Sequence, residues 1–107
     1  MGVNMNDIYI YSTTEIIRIL GQRARIYRIR VGLTQKELAE RARISVPTLQ
    51  SFENGQSRDI SFSTLLRLLR GLGQLDGVND LLPDILESPY MMRSEGEVLQ
   101  RVRHKKK

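Results

Sequence analysis

The stretch from Thr34 to Gly55, TQKELAERARISVPTLQSFENG, decides the fold. It reads as two short helices joined by a tight turn. Thr34 caps the first of them, and Glu37 follows three residues later, the spacing of a capping box. Leu38, Ala39 and Ala42 then fall on one face of that helix. Ile44 follows, and Ser45 is a second N-cap. Pro47 stands in the first turn of the next helix, where a missing N–H does little harm. Leu49 and Phe52 form that helix's apolar face, and Asn54-Gly55 stops it. Helix, short turn, helix is the helix-turn-helix unit. Small Ala39 sits where two steeply crossing helices must approach closely.

The chain around this stretch is helical too. Ser12 and Glu15 form another capping box and open a first helix. In that helix Ile17, Leu20, Ala24, Tyr27 or Arg28, and Val31 recur at helical spacing, and Gly32 ends it. Gly21 lies inside it at a cost of about 1 kcal/mol relative to Ala. Ser61 caps a fourth helix whose Phe62, Leu65, Leu66, Leu68, Leu69 and Leu72 make an apolar surface broader than one core needs. Gly71 and Gly73 mark its end. Leu75 to Leu82 reads as a short fifth helix carrying Leu75, Val78, Leu81 and Leu82, closed by Pro83.

Both ends read differently. Asp7 to Ser12, DIYIYS, alternates Ile and Tyr with the period of a strand. Two arrangements are open to it: pairing with the same segment of a second subunit, or docking on its own helices. Residues 83–107 read as an extended or weakly helical tail, with a weak helix start at Ser94 and a basic run at Arg101 to Lys107. The expected organisation is therefore an arm over residues 1–13, an all-α, five-helix domain over 14–82, and a basic tail over 83–107.

At 107 residues there is room for one core and a tail. Cysteine is absent, which excludes a disulfide framework and a thiolate metal site and fits a reducing cytoplasm. No apolar run approaches a membrane span, and the N-terminus lacks the pattern of a signal peptide. The net charge of +5 suits a polyanionic partner. Within residues 34–60, however, Lys36, Arg41, Arg43 and Arg58 balance Glu37, Glu40, Glu53 and Asp59, so the excess lies at the flanks. Enzyme chemistry finds no support. The one histidine, His104, lies in the basic tail, and there is no H-E-x-x-H, Walker A or G-x-G-x-x-G. No cofactor or metal is expected.

Reading DNA with such a unit requires one helix in the major groove, groups that hold phosphates, and a dimer matching two half-sites. With Ile44, Leu49 and Phe52 turned inward, Val46, Pro47, Gln50 and Ser51 point away from the core. Gln50 carries both a donor and an acceptor, which suits adenine. Val46 and Pro47 suit a thymine methyl, and Ser51 bonds to several bases. Gln35 stands at a helix start, where free N–H groups favour an anion.

Gly32-Leu33-Thr34-Gln35, Glu37-Leu38-Ala39, Ile44-Ser45, Leu49 and Phe52-Glu53-Asn54-Gly55 resemble the Xre family, which contains the lambdoid phage repressors. The resemblance extends from about Leu20 to Leu82. It implies a lambda-repressor-like domain in which Val46, Pro47 and Ser51 match base-contacting positions, and Gln35, Thr48 and Asn54 match phosphate-holding ones. Val46 and Pro47 depart from repressors that present glutamine pairs there, which shifts weight to DNA shape. Arg28 and Glu53 match a buried salt bridge. Arg43 stands where the family often has a left-handed Gly; its exposed side chain is available to the DNA backbone.

Two functions compete. One is a transcriptional repressor that binds a double-stranded DNA operator as a homodimer through Leu75, Val78, Leu81 and Leu82, with no membrane association. The other is a protein-binding module. The order of features resembles HipB-type antitoxins, which bind their operator and also a kinase-like toxin; an adaptor without DNA binding is its variant.

Overall fold

A computed structural model describes residues 5–85, and over these every element is helical. The α-helices are α1 (Thr13–Val31), α2 (Gln35–Ala42), α3 (Val46–Glu53) and α4 (Phe62–Leu72). Short 3-10 segments occupy Met5–Ile10 and Leu75–Asp80. This is the all-α, lambda-repressor-like arrangement. The chain divides into two compact units, Met1–Asp76 and Gly77–Lys107. The first holds all four α-helices.

Local chemistry sets the helix boundaries. Ser12 Oγ accepts the Glu15 N–H at 3.1 Å, and Glu15 Oε1 accepts the Ser12 N–H at 2.7 Å. The Thr34–Glu37 box repeats this at 3.0 and 2.8 Å. Ser45 and Ser61 cap α3 and α4 by accepting the N–H groups of Thr48 and Thr64. Gly32 and Gly73 end α1 and α4 in left-handed conformations.

The core is small and, apart from Phe52, aliphatic. Leu38, Leu49 and Leu68 are fully buried, one each from α2, α3 and α4. Ala24 from α1 joins them, with Ala39, Phe52 and Leu72. Two glycines bring the helices close. A Cβ on Gly21 would lie 1.9 Å from the Phe52 carbonyl oxygen, so α1 and α3 approach at a distance only glycine permits. A Cβ on Gly71 would lie 3.1 Å from Leu38 Cδ1, at the packing of α4 on α2. Gly71 is therefore a helix-crossing residue inside α4, and Gly73 alone is the cap.

Several expectations need correction. The Ile-Tyr segment is not an extended strand. Met5–Ile10 winds in 3-10 turns with a kink at Asp7, and Tyr9 and Ile10 are exposed. A strand needs a partner for its backbone groups, and this segment instead bonds locally, Tyr11 N–H to the Ile8 carbonyl at 3.2 Å. The fifth helix is a 3-10 segment that ends at Asp80 and buries no residue. Gly77 in its middle weakens an α-helix there. Leu81 lies beyond the segment and donates its N–H to the Val78 carbonyl at 3.0 Å. In α1, Arg28 rather than Tyr27 takes the inward position, and Tyr27 and Val31 are exposed. The helix start at Ser94 and the basic run fall outside the described residues.

Candidate nucleic-acid interface

The turn between α2 and α3 sets the geometry of the interface. Arg43 ends α2 at φ 59° and ψ 46°, the left-handed region usual for Gly. Its N–H bonds to the Glu40 carbonyl at 3.2 Å, and the Ile44 N–H bonds to the Ala39 carbonyl at 3.0 Å. The Arg43 side chain is exposed. Ser45 then starts α3, and its Oγ donates to Thr48 Oγ1 at 2.7 Å. Thr48 is thus tied into the cap, with its own hydroxyl proton still available. Pro47 fits the first turn of α3 without loss of a helical bond.

Side chains on α3 separate into two sets. Leu49, Phe52 and Glu53 are buried. Pro47, Thr48 and Gln50 are exposed, and Ser51 is half-buried. Val46 departs from expectation: it packs partly against the core. A β-branched residue at the first position of a short helix leans back over the turn that precedes it, which here is the turn carrying Ile44. Asn54 is exposed at the end of α3, and its N–H donates to the Gln50 carbonyl at 2.9 Å.

A continuous polar chain runs from the interior to the exposed face of α3. Arg28 Nε donates to Glu53 Oε2 at 2.7 Å, and Arg28 Nη2 donates to Glu53 Oε1 at 3.0 Å. Arg28 Nη1 donates to the Leu33 carbonyl at 2.8 Å. The Glu53 side chain is wholly buried, and that of Arg28 is 11% exposed. Gln35 Nε2 donates to Glu53 Oε1 at 3.0 Å. Gln50 Nε2 donates to Gln35 Oε1 at 3.2 Å. Chemistry fixes the direction of each link. An ionised carboxylate only accepts, so Gln35 must turn its amide nitrogen inward and its oxygen toward Gln50. Gln50 must answer with its own nitrogen, which leaves its Oε1 and a second amide proton facing solvent.

The sequence singled out all four residues but assigned Gln35 to phosphate contact alone. Its contact with Gln50 joins the two helices of the unit. A glutamine at the start of α2 and a second on the exposed face of α3 were the available signal.

Electrostatics at the start of α2 are set by Glu37. The Thr34 N–H, then the Thr34 hydroxyl, and the nearby charge of Arg41 hold its carboxyl below the usual range. Among the described residues no cluster of His, Cys, Asp or Glu could hold a metal ion. No described helix is long and apolar enough to cross a membrane.

Comparison with known proteins gives one family. Neither curated proteins nor solved structures provide a match. The family model described as helix-turn-helix domain matches residues 19–81, from the middle of α1 through the second 3-10 segment. That span contains the N-caps of α2 and α3, the left-handed turn and the polar chain, and in agreement with the Xre-type resemblance of Thr34–Gly55, the chain belongs to the helix-turn-helix domain family.

Proposed function

We propose that this protein is a sequence-specific transcriptional regulator, a repressor, that binds a double-stranded DNA operator as a homodimer. The observation that carries the reading is the chain Arg28–Glu53–Gln35–Gln50. It holds one exposed amide on α3 in a single orientation, anchored in a buried ion pair. An amide presenting one acceptor and one donor matches the N6 and N7 edge of adenine in the major groove. A reader fixed before binding loses less side-chain entropy when it docks.

In this reading α3 lies in the major groove. Gln50 and Ser51 contact base edges, and Pro47 with the exposed part of Val46 meets thymine methyls. Thr48, Asn54, Arg43 and the second amide proton of Gln35 hold phosphates, which position the domain without reading sequence. Two copies meet through Leu75, Val78, Leu81 and Leu82, with α3 helices about 10 base pairs apart. Leu81 and Leu82 are exposed, which supports this surface.

Selection of bound duplexes from a random pool tests the reading. Gln50→Ala and Ser51→Ala should change the selected sequence, and removing a good base-edge hydrogen-bonding pair should cost about 1–3 kcal/mol against the preferred site. Asn54→Ala should weaken all duplexes nearly alike. Gln35→Ala should do both, weakening binding and relaxing the position read by Gln50. If the Gln50 and Ser51 variants keep their fold and bind the selected operator as before, α3 is not the reader. A protein-binding role, such as a HipB-like antitoxin for a kinase-like toxin, would then take precedence.

A further inference from the structure

The outer face of the second half of α1 carries a pattern used by neither the core nor the DNA-reading elements. α1 packs Ile17, Leu20 and Ala24 inward, and Arg28 on the same side reaches Glu53. On the opposite side stand Ile19, Gln22, Ile26 and Ile29, at successive spacings of three and four residues. Those are the a and d positions of a heptad. Ile19 is buried within the fold and closed to a partner, so the open part of the seam is Ile26 and Ile29, which are 47% and 55% exposed.

Exposed arginines stand on both edges of the open seam, Arg25 on one and Arg30 on the other. Arg18 and Arg25 take the g positions, and Arg23 and Arg30 the e positions. From Ile16 to Leu33 the chain has no Asp or Glu. Helix propensity does not account for the isoleucines, because β-branched residues are weaker helix formers than Ala, Leu or Lys. A solvated helix face would carry polar residues at these positions.

We propose that this face docks an acidic amphipathic helix of a partner protein. Its apolar seam meets Ile26 and Ile29, and its flanking Glu or Asp residues meet Arg25 and Arg30. Opposite charge at e and g selects the partner and its orientation, and Gln22 at a d position fixes register. A second copy does not fit, since two such faces would set Arg against Arg along both edges.

The test uses the full chain and two end-blocked synthetic peptides of three heptads, with Leu at a and d. One peptide has Glu at every e and g position, the other Lys. Fluorescence anisotropy should show the Glu peptide binding at least about tenfold more tightly than the Lys peptide, the scale of several partly screened charge pairs acting together. The double variant Ile26→Ser, Ile29→Ser should weaken the Glu peptide by about tenfold or more, because less apolar area is buried. The double variant Arg25→Glu, Arg30→Glu should reverse the peptide preference. It alters only exposed side chains, so it carries the test if the serine variant fails to fold by circular dichroism. Equal binding of the two peptides would overturn the proposal, as would a preference that survives charge reversal. Three other results in the serine variant would also overturn it. A shift toward monomer in sedimentation would assign the face to a second copy. Loss of binding to anionic phospholipid vesicles would assign it to a membrane. Loss of operator binding would assign it to DNA.

Discussion

At Gly21 an ordinary stability rule changes sign. Replacing Gly by Ala inside a helix usually stabilises it by about 1 kcal/mol. Here the new methyl would lie 1.9 Å from the Phe52 carbonyl oxygen, and backbone cannot swing aside as a side chain can. Gly21→Ala should therefore destabilise the domain by about 1–3 kcal/mol or more, through forced separation of α1 and α3. A lowered denaturation midpoint in urea checks this. Arg43 behaves in the opposite sense. Its left-handed backbone costs about 1–2 kcal/mol in a non-glycine residue. Arg43→Gly removes that strain but adds freedom to the unfolded chain, about 0.5–1 kcal/mol. The variant should melt slightly higher, with a net gain of up to about 1.5 kcal/mol. The left-handed turn at Arg43 was legible only through the family resemblance, since nothing about an arginine there announces it. The role of Gly21 was not, because a glycine within a helical pattern shows its neighbour only when α3 is in place. Val46 was misread for a related reason. Helix geometry places it on the outward side of α3, but at the helix start its side chain still packs partly against the core.

Capping boxes carried most of the legible information at the scale of elements. Ser12–Glu15 and Thr34–Glu37 set the starts of α1 and α2 by local bonds that need no tertiary contact. The two 3-10 segments were not legible. Alternating Ile and Tyr predict a strand only if a second strand is present, and Leu75–Asp80 holds Gly77 and too few buried positions to extend an α-helix. The α2 box makes a prediction about acid. Glu37 has a folded-state pKa below its unfolded value, so its contribution is complete above the unfolded value and is lost as pH falls through the lowered folded value. Gln in its place still accepts the Thr34 N–H but does not titrate. The stability advantage of the native chain over Glu37→Gln should be largest near neutral pH and should shrink in acid, below the ordinary glutamate range. Thermal melts of both proteins across that range measure it.

For the whole molecule, the proposals concern assembly and charge. Leu81→Asp with Leu82→Asp should drive a dimer toward monomer, since each would bury a carboxylate without a partner. Analytical ultracentrifugation at micromolar concentration reads the shift, and a native chain that stays monomeric there would remove the homodimer. The basic run Arg101 to Lys107 lies outside the described residues, and we expect it to add affinity without specificity. Its deletion should flatten the salt dependence of DNA binding by about 0.9 in log–log slope for each phosphate that the run neutralises. Neither surface follows from the core, which the sequence pattern specifies well, because an exposed leucine or lysine has no internal partner to declare its use.

The graded burial of the Arg28–Glu53–Gln35–Gln50 chain also bears on how operators and their readers diverge. Its inner end tolerates little, since losing Arg28 or Glu53 alone strands a buried charge at about 3–5 kcal/mol. Its outer end is cheap to change, because Gln50 is exposed and its replacement leaves Gln35 free to bond with water. Descendants of this chain can therefore drift in which base they prefer by altering residue 50 first. Residue 35 can follow only where its new side chain still satisfies Glu53. The order of substitution is built into the gradient of burial, so an inherited operator preference can be rewritten from the surface inward but not from the interior outward.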